Sequence, residues 1–178
     1  MASASNIRLI ISDVDGVWTD GKIIYASDGS ETKEFNVRDG LAAKLAQKAG
    51  ITIALLTSRR SQALERRARE IGIAELRQGA TNKLEEAERI ALQLEISFDE
   101  ILYAGDDLPD LAPMLRAAIS AAPRDAAPEV RAVATWKLES AGGGGAFREI
   151  VERLLRERGD WDALEREFVS GRPDAASN

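Results

Sequence analysis

Cysteine and histidine are both absent from the 178 residues of this chain. The absence of cysteine excludes disulfides, thiolate nucleophiles and cysteine-based zinc sites, and the absence of histidine excludes a Ser-His-Asp triad and imidazole metal ligands. No apolar run approaches the roughly 18 residues that would predict a membrane-spanning helix. Any catalysis or metal binding must therefore use carboxylates, hydroxyls, lysine, arginine or the backbone.

Basic residues are outnumbered by acidic residues. The chain has 24 Lys and Arg residues against 30 Asp and Glu residues, a formal net charge of -6, which opposes binding to nucleic acid or to an anionic membrane surface. Residues 1–6 lack the basic and apolar regions of a signal peptide. We therefore expect a folded cytoplasmic protein that acts on a small molecule, with no nucleic-acid or membrane partner.

Short apolar runs alternate with segments of helical periodicity along the chain. This alternation predicts an α/β fold, in which a mainly parallel sheet is covered by helices on both faces. The length predicts one domain over residues 1–170, followed by a disordered tail at 171–178. Strands are predicted at 7–11, 51–56, 101–104, 117–121 and 133–136. Helices are predicted from caps at Asp39 and Ser61, from about Asn82 to Leu94 on apolar spacing, and over residues 146–158.

One segment, residues 21–36, interrupts this alternation. Asp28-Gly29 supplies the positive φ angles of a tight turn between two short strands, so a β-hairpin is predicted directly after the first strand. An isolated hairpin is only marginally stable in water. Self-association through the hairpin is the expected solution, and packing on its own domain is the alternative. The apolar side chains that it presents are Ile23, Ile24, Tyr25 and Phe35.

Acidic residues follow two of the predicted strands. Asp13 and Asp15 come directly after the first strand, where ligands bind in open parallel sheets. Two such carboxylates can divide the chemistry, one as nucleophile or metal ligand and the other as general acid. An Asp-x-Asp-Gly segment also forms ordinary turns, so this motif alone leaves both interpretations open. The other cluster, after strand 101–104, contains Asp106, Asp107 and Asp110.

The second acidic cluster favours Mg²⁺, because three neighbouring carboxylates repel one another and hard oxygen ligands suit that ion. Helix capping by Asp107 would explain only one of the three acids. Thr57 and Ser58 follow the middle strand, where hydroxyls and backbone N–H groups can hold phosphate oxygens. Lys83, at the start of the next helix, can add a fixed positive charge.

The order of these residues is more specific than any one of them. Asp13-x-Asp15, Thr57, Lys83 and Gly105-Asp106-Asp107-x-x-Asp110 resemble the four motifs of the haloacid dehalogenase superfamily of phosphohydrolases. A response-regulator receiver uses similar residue types in a different order. Longer segments resemble the capless 3-deoxy-D-manno-octulosonate 8-phosphate phosphatases. These segments are residues 13–21, 35–40, 78–79 with Lys83, 103–107 and 145–149.

The resemblance implies a Rossmann-like three-layer sandwich with an inserted β-hairpin and no cap domain. It also implies a homotetramer assembled through the hairpins, with active sites at the subunit interfaces. Within the site it implies that Asp13 is the nucleophile and Asp15 the general acid and base, with Thr57 and Lys83 on the phosphate. The implied Mg²⁺ ligands are Asp13, the Asp15 backbone carbonyl and Asp106. Asp107 and Asp110 are implied to support these ligands without binding the ion.

A phosphorylated sugar acid is the implied substrate, and the eight-carbon 3-deoxy-D-manno-octulosonate 8-phosphate is favoured. The residues implied to contact it are Asp15, Asn36, Val37, Arg38, Asp39, Gly40, Lys44, Ser58, Arg59, Arg67 and Lys83. Two positions depart from the family pattern: Ser58 replaces a usual Gly and Gly144 a common Arg.

Two alternatives remain open. Trp18 and Phe147 match the residue types of relatives that cleave a nine-carbon keto-deoxy sugar acid 9-phosphate. Arg59 does not match them, because those relatives tend to have an acidic residue at its position. A non-catalytic tetramerisation module, related to domains of acylneuraminate cytidylyltransferases, is the alternative from a different class of protein.

Overall fold

The computed structural model describes residues 4–171. The strands in this range are β1 Leu9–Ser12, β2 Ile24–Tyr25, β3 Glu31–Thr32, β4 Thr52–Thr57, β5 Glu75–Gln78, β6 Ile101–Ala104, β7 Ile119–Ala122 and β8 Trp136–Lys137. The α-helices are α1 Val37–Lys48, α2 Gln62–Glu70, α3 Lys83–Gln93, α4 Leu111–Arg116, α5 Pro128–Val133, α6 Ala146–Arg158 and α7 Trp161–Val169.

Six of the strands form one parallel sheet in the order β5-β4-β1-β6-β7-β8. Successive side chains of a strand point to opposite faces, so Ile10 of β1 joins the apolar core on the side of α1, α2, α6 and α7. Leu9 and Ile11 join the core on the side of α3, α4 and α5. The predicted three-layer α/β fold is confirmed, and no cap-sized insertion interrupts the described elements.

Local signals located most elements but not all of their ends. Strand β6 and helix α6 have the predicted bounds, and Ser61 caps α2 as expected. Helix α3 lies within the predicted range, and the structure shows Asn82 as its N-cap. The predicted cap at Asp39 is wrong, because α1 begins earlier and the Asn36 side chain accepts the Arg38 N–H. The prediction of a strand from 133 is also wrong, because α5 occupies residues up to Val133 and β8 is a two-residue edge strand.

The inserted hairpin is present as a separate antiparallel pair, β2 and β3. Ile23, Ile24 and Tyr25 are exposed, whereas Phe35 packs against the core beside α1. The predicted disordered tail, apart from Gly171, lies outside the described residues. Among residues 4–171 there is no helix with the length and apolar character needed to cross a bilayer.

Candidate active site

The ends of three neighbouring strands place the predicted site residues at one edge of the sheet. Asp13 follows β1, Thr57 ends β4, and Asp106 comes two residues after β6 ends. Strands β4, β1 and β6 are adjacent and parallel. Their carboxyl ends therefore meet, which is where open α/β sheets bind ligands.

The segment after β1 forms a tight turn that brings the two acidic clusters together. The Val14 carbonyl accepts the backbone N–H groups of Val17, Trp18 and Thr19. Gly16 has a φ of 100°, and a Cβ built there would lie 2.0 Å from Asp106 Oδ2. Only glycine fits this position, because a side chain would collide with the carboxylate and would also strain the backbone.

Lys83 supplies the positive charge at this edge. It is the first residue of α3 and is buried, with Nζ 2.8 Å from Asp13 Oδ1 and 2.8 Å from Asp110 Oδ1. Burial disfavours the ammonium, but the charges of Asp13 and Asp110 outweigh it and raise the pKa of Lys83. The lysine is therefore a permanent cation between two carboxylates that lie far apart in the sequence.

Asp110 is fully buried and its oxygens are occupied. Oδ1 accepts from Lys83 Nζ and from the Tyr103 hydroxyl, both at 2.8 Å. Oδ2 accepts the backbone N–H groups of Asp106 at 3.3 Å and Asp107 at 3.4 Å. With four donors on its two oxygens, Asp110 is suited to orienting the loop after β6 rather than to binding a ligand.

Asp13 and Asp106 lie together with too little positive charge around them. Oxygens of Asp13, Asp106 and Asp110 are all within 4.8 Å of one another. Burial and then the charge of Asp110 raise the pKa of Asp13 to about 6, although Lys83 opposes this. Burial and then the charge of Asp13 raise the pKa of Asp106 to about 8. Buried oxygen ligands that repel each other fit a hard divalent cation such as Mg²⁺.

We expect Mg²⁺ to bind more weakly as the pH falls from 8 to 5. Protons must leave Asp13 and Asp106 before the ion can bind. For each proton released on binding, the affinity for Mg²⁺ therefore falls about tenfold for each unit by which the pH is lowered. The same raised pKa values imply that the metal-free protein loses stability as the pH rises from about 4 to about 8. Calorimetric titration with MgCl₂ in buffers of different ionisation enthalpy measures both affinity and proton release. An affinity independent of pH would contradict the prediction.

Asp15 and Thr57 lie next to each other at the same edge of the sheet. The Thr57 hydroxyl lies 3.4 Å from Asp15 Oδ2 and accepts the Arg59 N–H at 3.2 Å. Ser58, between them in sequence, is exposed. Asp107 is exposed too, and its side chain accepts the Leu108 N–H at 2.8 Å in a capping box with Asp110. Capping accounts for Asp107, as the sequence suggested for one acid of the cluster.

The residues predicted to contact the sugar acid do not all share one environment. Val37 and Arg38 are exposed at the start of α1, and Lys44 is half-buried. Asp39 is fully buried and accepts the Arg148 N–H at 2.7 Å, so it joins α1 to the beginning of α6. Burial raises the pKa of Asp39 to about 6, against the opposing effect of that hydrogen bond.

Two predicted arginines have partners within the protein. A Cβ at Gly40 would lie 2.1 Å from a guanidinium nitrogen of Arg67, so this arginine lies directly on α1. The guanidinium of Arg59 is paired with Glu31 on the hairpin. The structure therefore connects Arg59 to the hairpin and Arg67 to the helix that begins at Val37.

Two hairpin residues at the site were missed by the sequence analysis. Lys33 contacts Asp15, and Glu31 contacts both Lys33 and Arg59. Residues two apart on an extended segment point the same way, so Glu31, Lys33 and the core-packed Phe35 could have been assigned to one inward face. The apolar pattern drew attention to Ile23, Ile24, Tyr25 and Phe35 and not to the charged residues between them.

The glycine segment at residues 142–145 packs on the turn after β1. The Gly143 N–H donates to the Val17 carbonyl at 3.0 Å, and Asn36 Nδ2 donates to the Gly143 carbonyl at 3.3 Å. Trp18 stacks on Phe147 of α6 with ring centroids 4.1 Å apart. These contacts hold the turn after β1, α1 and α6 together.

The chain is similar to known proteins over most of its length. No protein-family model matches the chain. The chain is 41% identical over 162 residues to the 3-deoxy-D-manno-octulosonate 8-phosphate phosphatase KdsC of Escherichia coli strain B / BL21-DE3, covering 91% of this chain and 86% of the relative. The corresponding protein of Yersinia pestis is 40% identical over 152 residues, covering 85% and 81%.

Solved structures give the same result. The 3-deoxy-D-manno-octulosonate 8-phosphate phosphatase of Moraxella catarrhalis, in complex with magnesium, phosphate and KDO, has a TM-score of 0.91 at 38% identity, with 93% of this chain and 95% of that chain covered. The cobalt-bound enzyme of Haemophilus influenzae has a TM-score of 0.89 at 34% identity, with 93% and 98% covered.

Proposed function

The chain belongs to the 3-deoxy-D-manno-octulosonate 8-phosphate phosphatase family of the haloacid dehalogenase superfamily, and from this membership we propose that it hydrolyses that ester to the sugar acid and phosphate. The observation that carries the proposal is the buried Asp13, 2.8 Å from Lys83 and next to Asp106 at the carboxyl edge of the sheet. Its product would serve lipopolysaccharide sugar synthesis.

The proposed reaction has two steps that use the acid pair. An Asp13 oxygen attacks phosphorus as the bond from phosphorus to the sugar oxygen breaks, and Asp15 gives its proton to that oxygen. Asp15 then takes a proton from the water that attacks the aspartyl-phosphate, which releases phosphate and restores Asp13. Lys83 favours the ionised form of Asp13 through their 2.8 Å contact.

Mg²⁺ is the proposed metal, held by Asp13, Asp106 and the backbone carbonyl of Asp15. When bound, it neutralises the negative charge that keeps a carboxylate away from a phosphate dianion. Asp110 holds Lys83 and the backbone of the loop after β6, and thereby positions Asp106. Thr57, whose hydroxyl lies 3.4 Å from Asp15 Oδ2, is proposed to lie beside the phosphate.

Recognition of the sugar acid is proposed to fall to residues around α1 and β4. Arg38 and Lys44 on α1 and Arg59 after β4 offer positive charge for the substrate carboxylate, which a net-acidic protein otherwise repels. Asn36 and Ser58 would add neutral hydrogen bonds.

Four chains are proposed to assemble through their hairpins, with each active site completed at a subunit interface. The apolar side chains of Ile23, Ile24 and Tyr25 are 49%, 42% and 67% exposed, an unusual arrangement for a two-stranded pair in water. Measurement of the molecular mass in solution tests the assembly. We place the enzyme in the cytoplasm, because a charged phosphate ester does not cross a membrane unaided.

Phosphate release from the purified protein, with and without MgCl₂, tests the proposed activity. We expect a clear preference for the eight-carbon acid phosphate over the nine-carbon acid phosphate and over glucose 6-phosphate, all at the same concentration. A preference for the nine-carbon ester would retain the chemistry and overturn the substrate. Failure to hydrolyse any ester would favour the non-catalytic assembly module.

A further inference from the structure

The hairpin carries a buried ammonium whose partners are acidic. The Lys33 side chain is 3% exposed, and Nζ contacts Asp15 Oδ1 and lies 3.6 Å from Glu31 Oε1. A buried ammonium requires compensating charge, because its loss of hydration is costly. The contact with Asp15 therefore fixes both groups, the lysine and the carboxylate.

Asp15 is held from both of its oxygens. Lys33 Nζ contacts Oδ1, and the Thr57 hydroxyl lies 3.4 Å from Oδ2. The side chain of Asp15 remains 18% exposed, so it is still accessible from the site. Donors on opposite sides of one carboxyl group fix the plane of that group.

The contacts continue beyond Lys33. Glu31, whose side chain is 17% exposed, pairs with Lys33 on one side and with the Arg59 guanidinium on the other. Alternating charges thus run from Asp15 through Lys33 and Glu31 to Arg59. The two ends of this row follow the adjacent strands β1 and β4, so the row anchors the hairpin across the site edge of the sheet.

We propose that Lys33 is a positioning residue for Asp15, an inference that rests on the proposed phosphatase function. With Lys33 on Oδ1, the proton that Asp15 transfers is carried by Oδ2, and Glu31 remains the compensating charge for Lys33 while Asp15 is protonated. That proton moves to the sugar oxygen as its bond to phosphorus breaks and the bond from phosphorus to Asp13 forms. A general acid must lie within hydrogen-bond reach of the leaving oxygen, and small displacements from that geometry are costly to the rate. The hairpin would thereby serve catalysis within its own subunit.

The test compares two esters that differ in their need for a proton. The sugar alkoxide must be protonated as it leaves, whereas p-nitrophenolate leaves without a proton. For Lys33→Met we expect kcat/KM to fall about 10- to 100-fold with the eight-carbon acid phosphate and less than about 5-fold with p-nitrophenyl phosphate. Lys33→Arg should restore most of the loss. Lys137→Met is the matched control, since that lysine is exposed on the edge strand β8, outside the hairpin and the site; it should leave both values unchanged.

A double-mutant cycle with Asp15→Asn separates positioning from a merely structural role. If Lys33 acts through Asp15, Lys33→Met causes little further loss in the Asp15→Asn background, whereas independent roles give losses that multiply. Equal losses on both esters together with a lowered melting temperature, or no loss on either, would overturn the inference while leaving an active wild-type enzyme. A wild-type protein that hydrolyses neither ester would overturn the proposed function, and the inference with it.

Discussion

Replacing the carboxylate of Asp13 by an amide is expected to reduce turnover by at least about a thousandfold. The amide introduced by Asp13→Asn has nearly the same shape and can still accept a hydrogen bond from Lys83, which lies 2.8 Å away in the wild type. It cannot form an acyl phosphate. Phosphate release from the sugar acid phosphate, with Asp13→Asn beside the wild type, measures the loss.

Trapping of the phosphorylated protein makes the test specific to the nucleophile. Acid quenching during turnover should yield phosphoprotein from the wild type and none from Asp13→Asn. Asp99→Asn is the matched control, because Asp99 is exposed outside the site and should keep full activity. Asp13→Asn turnover within about tenfold of the wild type would rule out a covalent route through this residue.

Removing the charge of Lys83 is expected to destabilise the metal-free protein by about 3 to 5 kcal/mol at neutral pH. Lys83→Met leaves Asp13 and Asp110 buried without their shared cation. The cost depends on pH. Without the lysine the pKa of Asp13 rises above its present value of about 6, so the folded variant retains protons that the unfolded chain releases near pH 4. The deficit relative to the wild type should therefore grow as the pH rises from 5 to 8.

Urea unfolding in the presence of a chelator, at pH 5 and at pH 8, measures this difference. Activity should fall as well, since Lys83 no longer favours the ionised nucleophile. Lys137→Met provides the comparison, because Lys137 is exposed on the edge strand β8. Equal stability of Lys83→Met and the wild type at pH 8 would show that the buried pair contributes nothing.

Much of the fold could be predicted because it depends on signals within short windows. The apolar run of β6, the Ser61 cap, the apolar spacing of α3 and the Asp28-Gly29 turn each act on neighbouring residues. Where the signal was weak, the prediction failed: β5, Glu75–Gln78, is polar and only half-buried, and it was not predicted as a strand. Helix α7 was also missed, although Trp161 and Leu164 pack into the core.

The sequence by itself determined the order of the motifs, the alternation of strands and helices, and the chemical character of the candidate site. Only the tertiary structure decided which charges meet. Lys83 bridges Asp13 and Asp110, and Lys33 reaches back from the hairpin to Asp15. Local patterns reflect backbone geometry and the burial of neighbouring residues. Partnerships between distant side chains depend on strand order, register and loop path, which the spacing of residues along the chain does not specify.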